Sequence, residues 1–322
     1  MSYEGIGIRI FAGSSSIRFA ENMCKFLGTE IGQAQTIRFS DGNTFVKILE
    51  KVRDKDVYIV QTIGLNPNND FMELLFWIDA FKRSSASSVT AIIPYFSYAK
   101  GDKKDEPRVS IRARVCADCL EITGIDRIIT MDLHSPQIQG FFKKPVDHLY
   151  GMQILSEYIK AKRLENLVVV SPDIGFAKSA RNYAKLLNAS VAIGDKTRKS
   201  HDENAEILEI IGDVDGKDAI IVDDFTLSCG TLVDTARVLK ENGALKIYAC
   251  VTHALLREQG LKALEESPIE ELIITDTVEN QEAFMHPKVK VVSVAPFFAK
   301  AVEIIHNKDS LSQLFENISS CM

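Results

Sequence analysis

The chain has 322 residues, 46% of them hydrophobic and 25% charged, which suits a globular protein with room for two cores of ordinary domain size. A formal net charge of −6 argues against a nucleic-acid binder, although local basic clusters can still serve phosphorylated small molecules. The longest apolar runs are too short to cross a bilayer, and Met1 to Gly13 lacks the basic start and apolar core of a signal peptide, so a cytoplasmic protein with no membrane partner is expected.

In chain order, apolar runs at Ile6 to Phe11, Val57 to Val60, Val89 to Pro94 and Arg127 to Met131 alternate with helical stretches, which reads as an open α/β sheet. The clearest helix is Asn69 to Arg83, with Phe71, Leu74, Leu75, Ile78 and Phe81 at core spacing. A helix over Tyr150 to Leu164 opens a second set of strands: Leu167 to Val170, Val191 to Ile193, Ala219 to Val222, Ile247 to Val251, Leu272 to Thr275 and Val289 to Val292. The repetition predicts two similar α/β domains, 1–149 and 150–307, with the tail 308–322 joining the first. Six scattered cysteines are no disulfide framework for a chain this long. Cys116 and Cys119 form a lone CxxC inside a predicted helix, Val109 to Thr123, where core packing explains them better than zinc.

Several polar groups fall just past strand ends, where open α/β sheets bind ligands. Lys100, Lys103 and Lys104 follow one strand and could hold a triphosphate or form a solvated basic loop. Asp132 and His134 follow another; the histidine suits a metal ligand or a structural role. Asp173 follows a third, as a ligand or a helix cap. In IIVDDFTLSCGTLVDT, Ile220 to Val222 reads as a buried strand and Leu232 to Leu239 as a helix. Between them, Ser228, Cys229, Gly230 and Thr231 offer backbone N–H groups at a helix N-terminus, which favours a phosphate. Gly230 permits close approach of the anion, and Asp223 and Asp224 can accept hydrogen bonds from sugar hydroxyls. Ribose phosphate binding and an ordinary capped strand-turn-helix junction both fit these residues. The chain has no GxxxxGK[ST] and no GxGxxG after a strand, so neither a P-loop nor a Rossmann fingerprint supplies a nucleotide site.

The Asp-Asp loop resembles the diphosphate loop of the phosphoribosyltransferase superfamily. PYFSYAKGDKKDEPRVSI, ITGIDRIITMDLHSPQIQGFFKKPVD and VVSPDIGFAKSARNYAK resemble ribose-phosphate diphosphokinase, also called phosphoribosyl-diphosphate synthetase. The likeness covers almost the whole chain, and it implies two phosphoribosyltransferase-type domains, each a mainly parallel sheet flanked by helices. The activity it implies is transfer of the diphosphoryl group of ATP to the 1-hydroxyl of ribose 5-phosphate, with Mg2+ required. By matching motif, His134 and Asp173 would hold magnesium, and Asp223, Asp224 and Leu227 to Thr231 (Leu227, Ser228, Cys229, Gly230, Thr231) would hold ribose 5-phosphate. Lys196 and Arg198 would be catalytic, on a mobile polar loop from Lys196 to Glu206. Phe39, Asp41 and Asn43, with Lys100, Gly101, Asp102 and Lys104, would bind ATP at a site shared between subunits, in a homo-oligomer of dimers building a hexamer.

The departures from the family's pattern fall in the site. Asn43 stands for a usual Glu, Lys100-Gly101 for an Arg-Gln pair, Leu227 for an Asp, Ser228 for a Thr and Lys143 for a common Asp. Each lost charged hydrogen bond could weaken binding by ~1.5–3 kcal/mol. A divergent active enzyme is therefore weighed against a non-catalytic or regulatory paralogue that co-assembles with an active subunit.

Overall fold

The computed structural model describes residues 7–198 and 206–316, without the side chains of 196–198, 206–208 and 315–316. The chain divides into two compact units, the first running to Tyr150 and taking in 277–279 and the chain from Ser293, the second formed by Gly151–Asp276 with Asn280–Val292.

In the first unit, five parallel strands lie in the order β1 (Ile8–Ala12), β4 (Asp56–Val60), β5 (Ser88–Ile93), β6 (Arg127–Met131) and β7 (Val146–Leu149). The central strands β4, β5 and β6 are rich in Val and Ile, as burial on both faces requires. Helices α1 (Ile17–Leu27), α2 (Pro67–Arg83) and α3 (Arg112–Thr123) connect them, and β2 (Ala34–Arg38) with β3 (Thr44–Ile48) forms a separate antiparallel hairpin. Pro67 opens α2, whose first-turn Asp70 accepts the N–H groups of Gly64 at 3.1 Å and Asn66 at 3.4 Å. Phe71, Leu74, Ile78 and Phe81 are buried as their spacing requires, Leu75 is half-buried, and Trp77 completes the core. The wholly buried Glu73 shares the helix. Its carboxylate accepts from Ser14 N–H and Oγ, Thr36 Oγ1 and Trp77 Nε1, which compensates a charge that burial alone would disfavour.

The second unit holds α4 (Met152–Ala161), β8 (Val168–Ser171), α5 (Ala177–Leu187), β9 (Ser190–Arg198), β10 (Glu206–Ile211), β11 (Ala219–Thr226), α6 (Gly230–Glu241), β12 (Ile247–Ala254), α7 (Glu258–Glu265), β13 (Glu271–Thr275), α8 (Gln281–Phe284) and β14 (Val289–Val292). Its sheet runs β10-β9-β8-β11-β12-β13-β14, parallel except for the β9–β10 pair. From β8 the chain adds β9 on one side and later β11 on the other, so the strand order reverses between β8 and β11. That reversal opens a crevice at the carboxyl ends of the two strands.

The last helices, α9 (Ala295–His306) and α10 (Ser312–Glu316), follow Ser293 in the first unit. The second unit therefore stops short of residue 307, where the sequence reading ended it. The cause is aromatic packing: Phe19 on α1 meets Phe298 on α9 edge-on, ring centroids 5.3 Å apart. The five cysteines among the described residues are free, and Cys116 packs in the first core as expected. No helix among the described residues is long and apolar enough to cross a membrane.

Candidate active site

In the second unit, the acid pair sits at the end of β11, beside the reversal point. Asp223 pairs in register with Val251 of β12, and Asp224 N–H donates to Asp223 Oδ1 at 2.9 Å. Burial pushes the Asp223 carboxyl up to about 8, helped by the charges of Asp224 and Asp173. Asp173, past the neighbouring strand β8, is exposed and accepts Phe176 N–H at 3.0 Å just before α5. Asp173 is therefore not the N-cap of α5, which is Phe176 without a side-chain bond; it closes the turn that leads into the helix. The same carboxylate adds its field to Asp223.

The turn that follows is held by its own side chains. Thr226 Oγ1 accepts Cys229 N–H at 3.2 Å, and Ser228 Oγ lies 3.4 Å from Gly230 N. Cys229 takes a left-handed φ of 58° as the residue before α6 and is buried, its thiol pushed up to about 11. Thr231 O accepts from Thr235 Oγ1 at 2.8 Å, inside the helix. Leu227 is 50% exposed and Ser228 is exposed, so the turn presents one apolar and one hydroxyl side chain to solvent. Gly260 on α7 backs it: a Cβ there would lie 3.3 Å from Leu227 O and from the Ser228 carbonyl carbon. Sequence reasoning missed Gly260 and Thr226. Gly260 is thirty residues away and gives no local signal; Thr226 could have been found as a hydroxyl three residues before an N–H that needs a partner.

Lys196 and Arg198 belong to strand β9, two positions apart, opposite Leu208 and Glu206 of β10. The sequence reading made this stretch a loop. The antiparallel partner extends the strand through residues whose own polarity gave no sign of it, and the intervening 199–205 lie outside the described residues.

In the first unit, Lys100, Gly101, Asp102 and Lys104 follow β5, and His134 follows the adjacent parallel strand β6. Lys100 Nζ lies 5.9 Å above the Tyr95 ring, a cation–π contact, while Lys103 and Lys104 are exposed. His134 is also exposed. The turn carrying it begins at Asp132, with a positive φ of 38°, and is pinned by His148, whose Nε2 accepts Leu133 N–H at 2.9 Å. Burial lowers the His148 pKa to about 4, which keeps the imidazole neutral and able to accept. Lys143 N–H donates to Glu121, away from this turn.

Phe39, Asp41 and Asn43 lie apart from these strand ends, at the tip of the β2–β3 hairpin. Asn43 N–H donates to Asp41 Oδ1 at 2.9 Å, and Phe39 N–H to Asn43 O at 2.8 Å. Phe39 is 49% exposed and tilts against Phe45, centroids 6.3 Å apart.

Among the described residues no three His, Cys, Asp or Glu side chains group closely enough to hold an ion unaided. Magnesium rarely needs that: it keeps several waters and takes one or two carboxylates plus substrate phosphates. The mutually repelling acids at the ends of β8 and β11 suit such a cation, which would relieve the cost of ionising Asp223.

Residues 8–124 match the model of the N-terminal domain of ribose phosphate pyrophosphokinase, and 203–316 that of the phosphoribosyl synthetase-associated domain. Ribose-phosphate pyrophosphokinase from Campylobacter jejuni is 45% identical over 96% of this chain and 99% of its own length. The enzyme of the same name from Caldanaerobacter subterraneus is 46% identical over 96% of this chain and 98% of its own. The crystal structure of phosphoribosylpyrophosphate synthetase from Mycobacterium smegmatis superposes with a TM-score of 0.89 at 35% identity, covering 94% of this chain and 99% of that one.

Proposed function

The chain belongs to the ribose-phosphate pyrophosphokinase family and is an enzyme of that type, and from that premise we propose that it transfers the β,γ-diphosphoryl group of magnesium ATP to the 1-hydroxyl of ribose 5-phosphate. The products of this reaction are 5-phosphoribosyl 1-diphosphate and AMP. The sugar oxygen bonds to the β-phosphorus as the bond from that phosphorus to the α,β-bridging oxygen breaks. The hydroxyl proton is released, and AMP leaves with the electron pair.

The observation that carries this reading is the acid pair running into an amide-rich turn. Asp223 and Asp224 accept hydrogen bonds from the ribose hydroxyls, and the turn at the start of α6 receives its 5-phosphate, the Cys229 and Gly230 N–H groups turning from the Thr226 and Ser228 hydroxyls to the anion. Lys100 and Lys104 bind the ATP phosphates, with Asp102 and Gly101 in the same loop, while Phe39 stacks on the adenine and Asp41 accepts from its amino group. His134 and Asp173 are the proposed magnesium ligands, and the ion, when bound, neutralises phosphate charge and orients the polyphosphate. Lys196 and Arg198 act as cations on the transferring group and on leaving AMP, since phosphoryl transfer relies on positioning and electrostatics. The exposed aromatic tip of the β2–β3 hairpin supports a nucleotide site completed by a second copy of the chain in a cytoplasmic homo-oligomer of dimers building a hexamer. A non-catalytic paralogue is not supported by relatives that carry the enzyme's name over 96% of this chain.

The test is AMP formation by the purified protein from magnesium ATP, with and without ribose 5-phosphate. AMP that depends on the sugar phosphate is the expected result. A folded protein that forms none at high substrate concentrations contradicts the reading.

A further inference from the structure

The cationic loop past β5 has a neighbour with no role so far. Arg112 opens α3, is exposed, and makes no hydrogen bond or ion pair among the described residues. Its position is explained by Gly101. The φ of −102° there is negative, on the side of the map open to residues with a side chain, so conformation does not call for glycine. Space does. A Cβ on Gly101 would lie 2.6 Å from Arg112 Nε, 3.2 Å from its Cζ and 3.0 Å from its Cβ. The arginine therefore fills the volume that any larger residue at 101 would take. Ala113 N–H donates to Gly101 O at 3.1 Å, tying the start of α3 to the loop. Gly101 is buried beneath while Arg112 is open to solvent, so the side chain lies along the loop backbone from its Cβ to its guanidinium and keeps an exposed face.

Resting on the reading that this loop takes the triphosphate of ATP, we propose that Arg112 binds the β,γ-phosphates of the nucleotide. Lys100, Lys103 and Lys104 are point charges on flexible stems, whereas a guanidinium offers a planar fork that meets two phosphate oxygens at once. The small residue at 101 and the arginine at 112 then form one device: the glycine vacates the space from which the arginine reaches the ligand. Packing along the loop lowers the ordering cost of that contact, because part of the side chain is already positioned.

The experiment is equilibrium binding of magnesium ATP and of AMP to the full-length protein and to Arg112→Ala, Arg112→Lys and Gly101→Ala, with thermal melts as a fold control. Arg112→Ala weakens ATP binding about 10- to 100-fold and leaves AMP binding within about twofold, because AMP lacks the two outer phosphates. Arg112→Lys restores part of the loss. Gly101→Ala displaces the guanidinium and weakens ATP binding, and adds little when Arg112 is already alanine. Equal ATP affinity in wild type and Arg112→Ala overturns the proposal, as does equal weakening of ATP and AMP. A wild-type protein that binds ATP through Arg112 yet forms no AMP from ribose 5-phosphate upholds this inference and sinks the proposed reaction. Absence of ATP binding by the wild type overturns both.

Discussion

Two strand-end regions of this protein solve opposite electrostatic problems. At the ends of β8 and β11, burial raises the Asp223 pKa to about 8, with the neighbouring carboxylates adding to it. Past β5, Lys103, Lys104 and Arg112 stand exposed in water, and Lys100 lies over the Tyr95 ring. Asp223 is costly to ionise and gains from a hydroxyl or a cation; the bases are hydrated until a polyanion displaces that water. On the proposed function, the same position on a parallel sheet serves a sugar with its metal in one unit and a polyphosphate in the other. What distinguishes them is the sign of the charge and the degree of burial.

The largest expected effect comes from outside both regions. Lys196→Ala lowers kcat by about 10²- to 10³-fold, the scale of losing one preorganised transition-state contact, while KM values and the melting temperature change little. A normal kcat removes the catalytic assignment and leaves the two strand-end regions to account for turnover.

Next in size, Asp223→Asn raises KM for ribose 5-phosphate by about 10- to 100-fold and leaves KM for ATP nearly unchanged. It also tests the electrostatics. A folded-state pKa raised from 3.8 to about 8 means a contribution to stability that is present below pH ~4 and lost as pH rises through 8. In melts without divalent ions, the wild type therefore loses stability relative to Asp223→Asn between pH 5 and 9. Parallel curves for the two proteins would mean that Asp223 is ionised at no cost, and the contrast between the regions would collapse.

The smallest effect is at Leu227, half-exposed on the phosphate turn. Leu227→Asp lowers KM for ribose 5-phosphate about fivefold if the position is a weakened polar contact, on the scale of one hydrogen bond of ~1 kcal/mol. An unchanged KM marks the leucine as neutral.

Much of this was legible in the sequence. The buried parallel strands announce themselves as Val and Ile runs, and α2 by its apolar spacing, because burial on both faces or along one stripe leaves those patterns. The Asp223–Thr231 turn was legible because an acid pair followed by small hydroxyl residues before a helix is local chemistry. What stayed hidden depends on pairing. Residues 194–198 are a strand only because β10 lies alongside, and the β2–β3 hairpin is partly exposed and lacks a continuous apolar run. Helix α9 joins the first unit by packing its buried face on α1, where Phe298 meets Phe19 nearly 280 positions away. Gly101 and Arg112 were each visible as residues; that one makes room for the other required their separation in space.

The central claim is that a diphosphoryl group moves, not a single phosphoryl group. ATP labelled at the β-phosphorus separates the two outcomes in one measurement with ribose 5-phosphate and magnesium. The account predicts label in an acid-labile sugar diphosphate and unlabelled AMP. Label retained in ADP would contradict it.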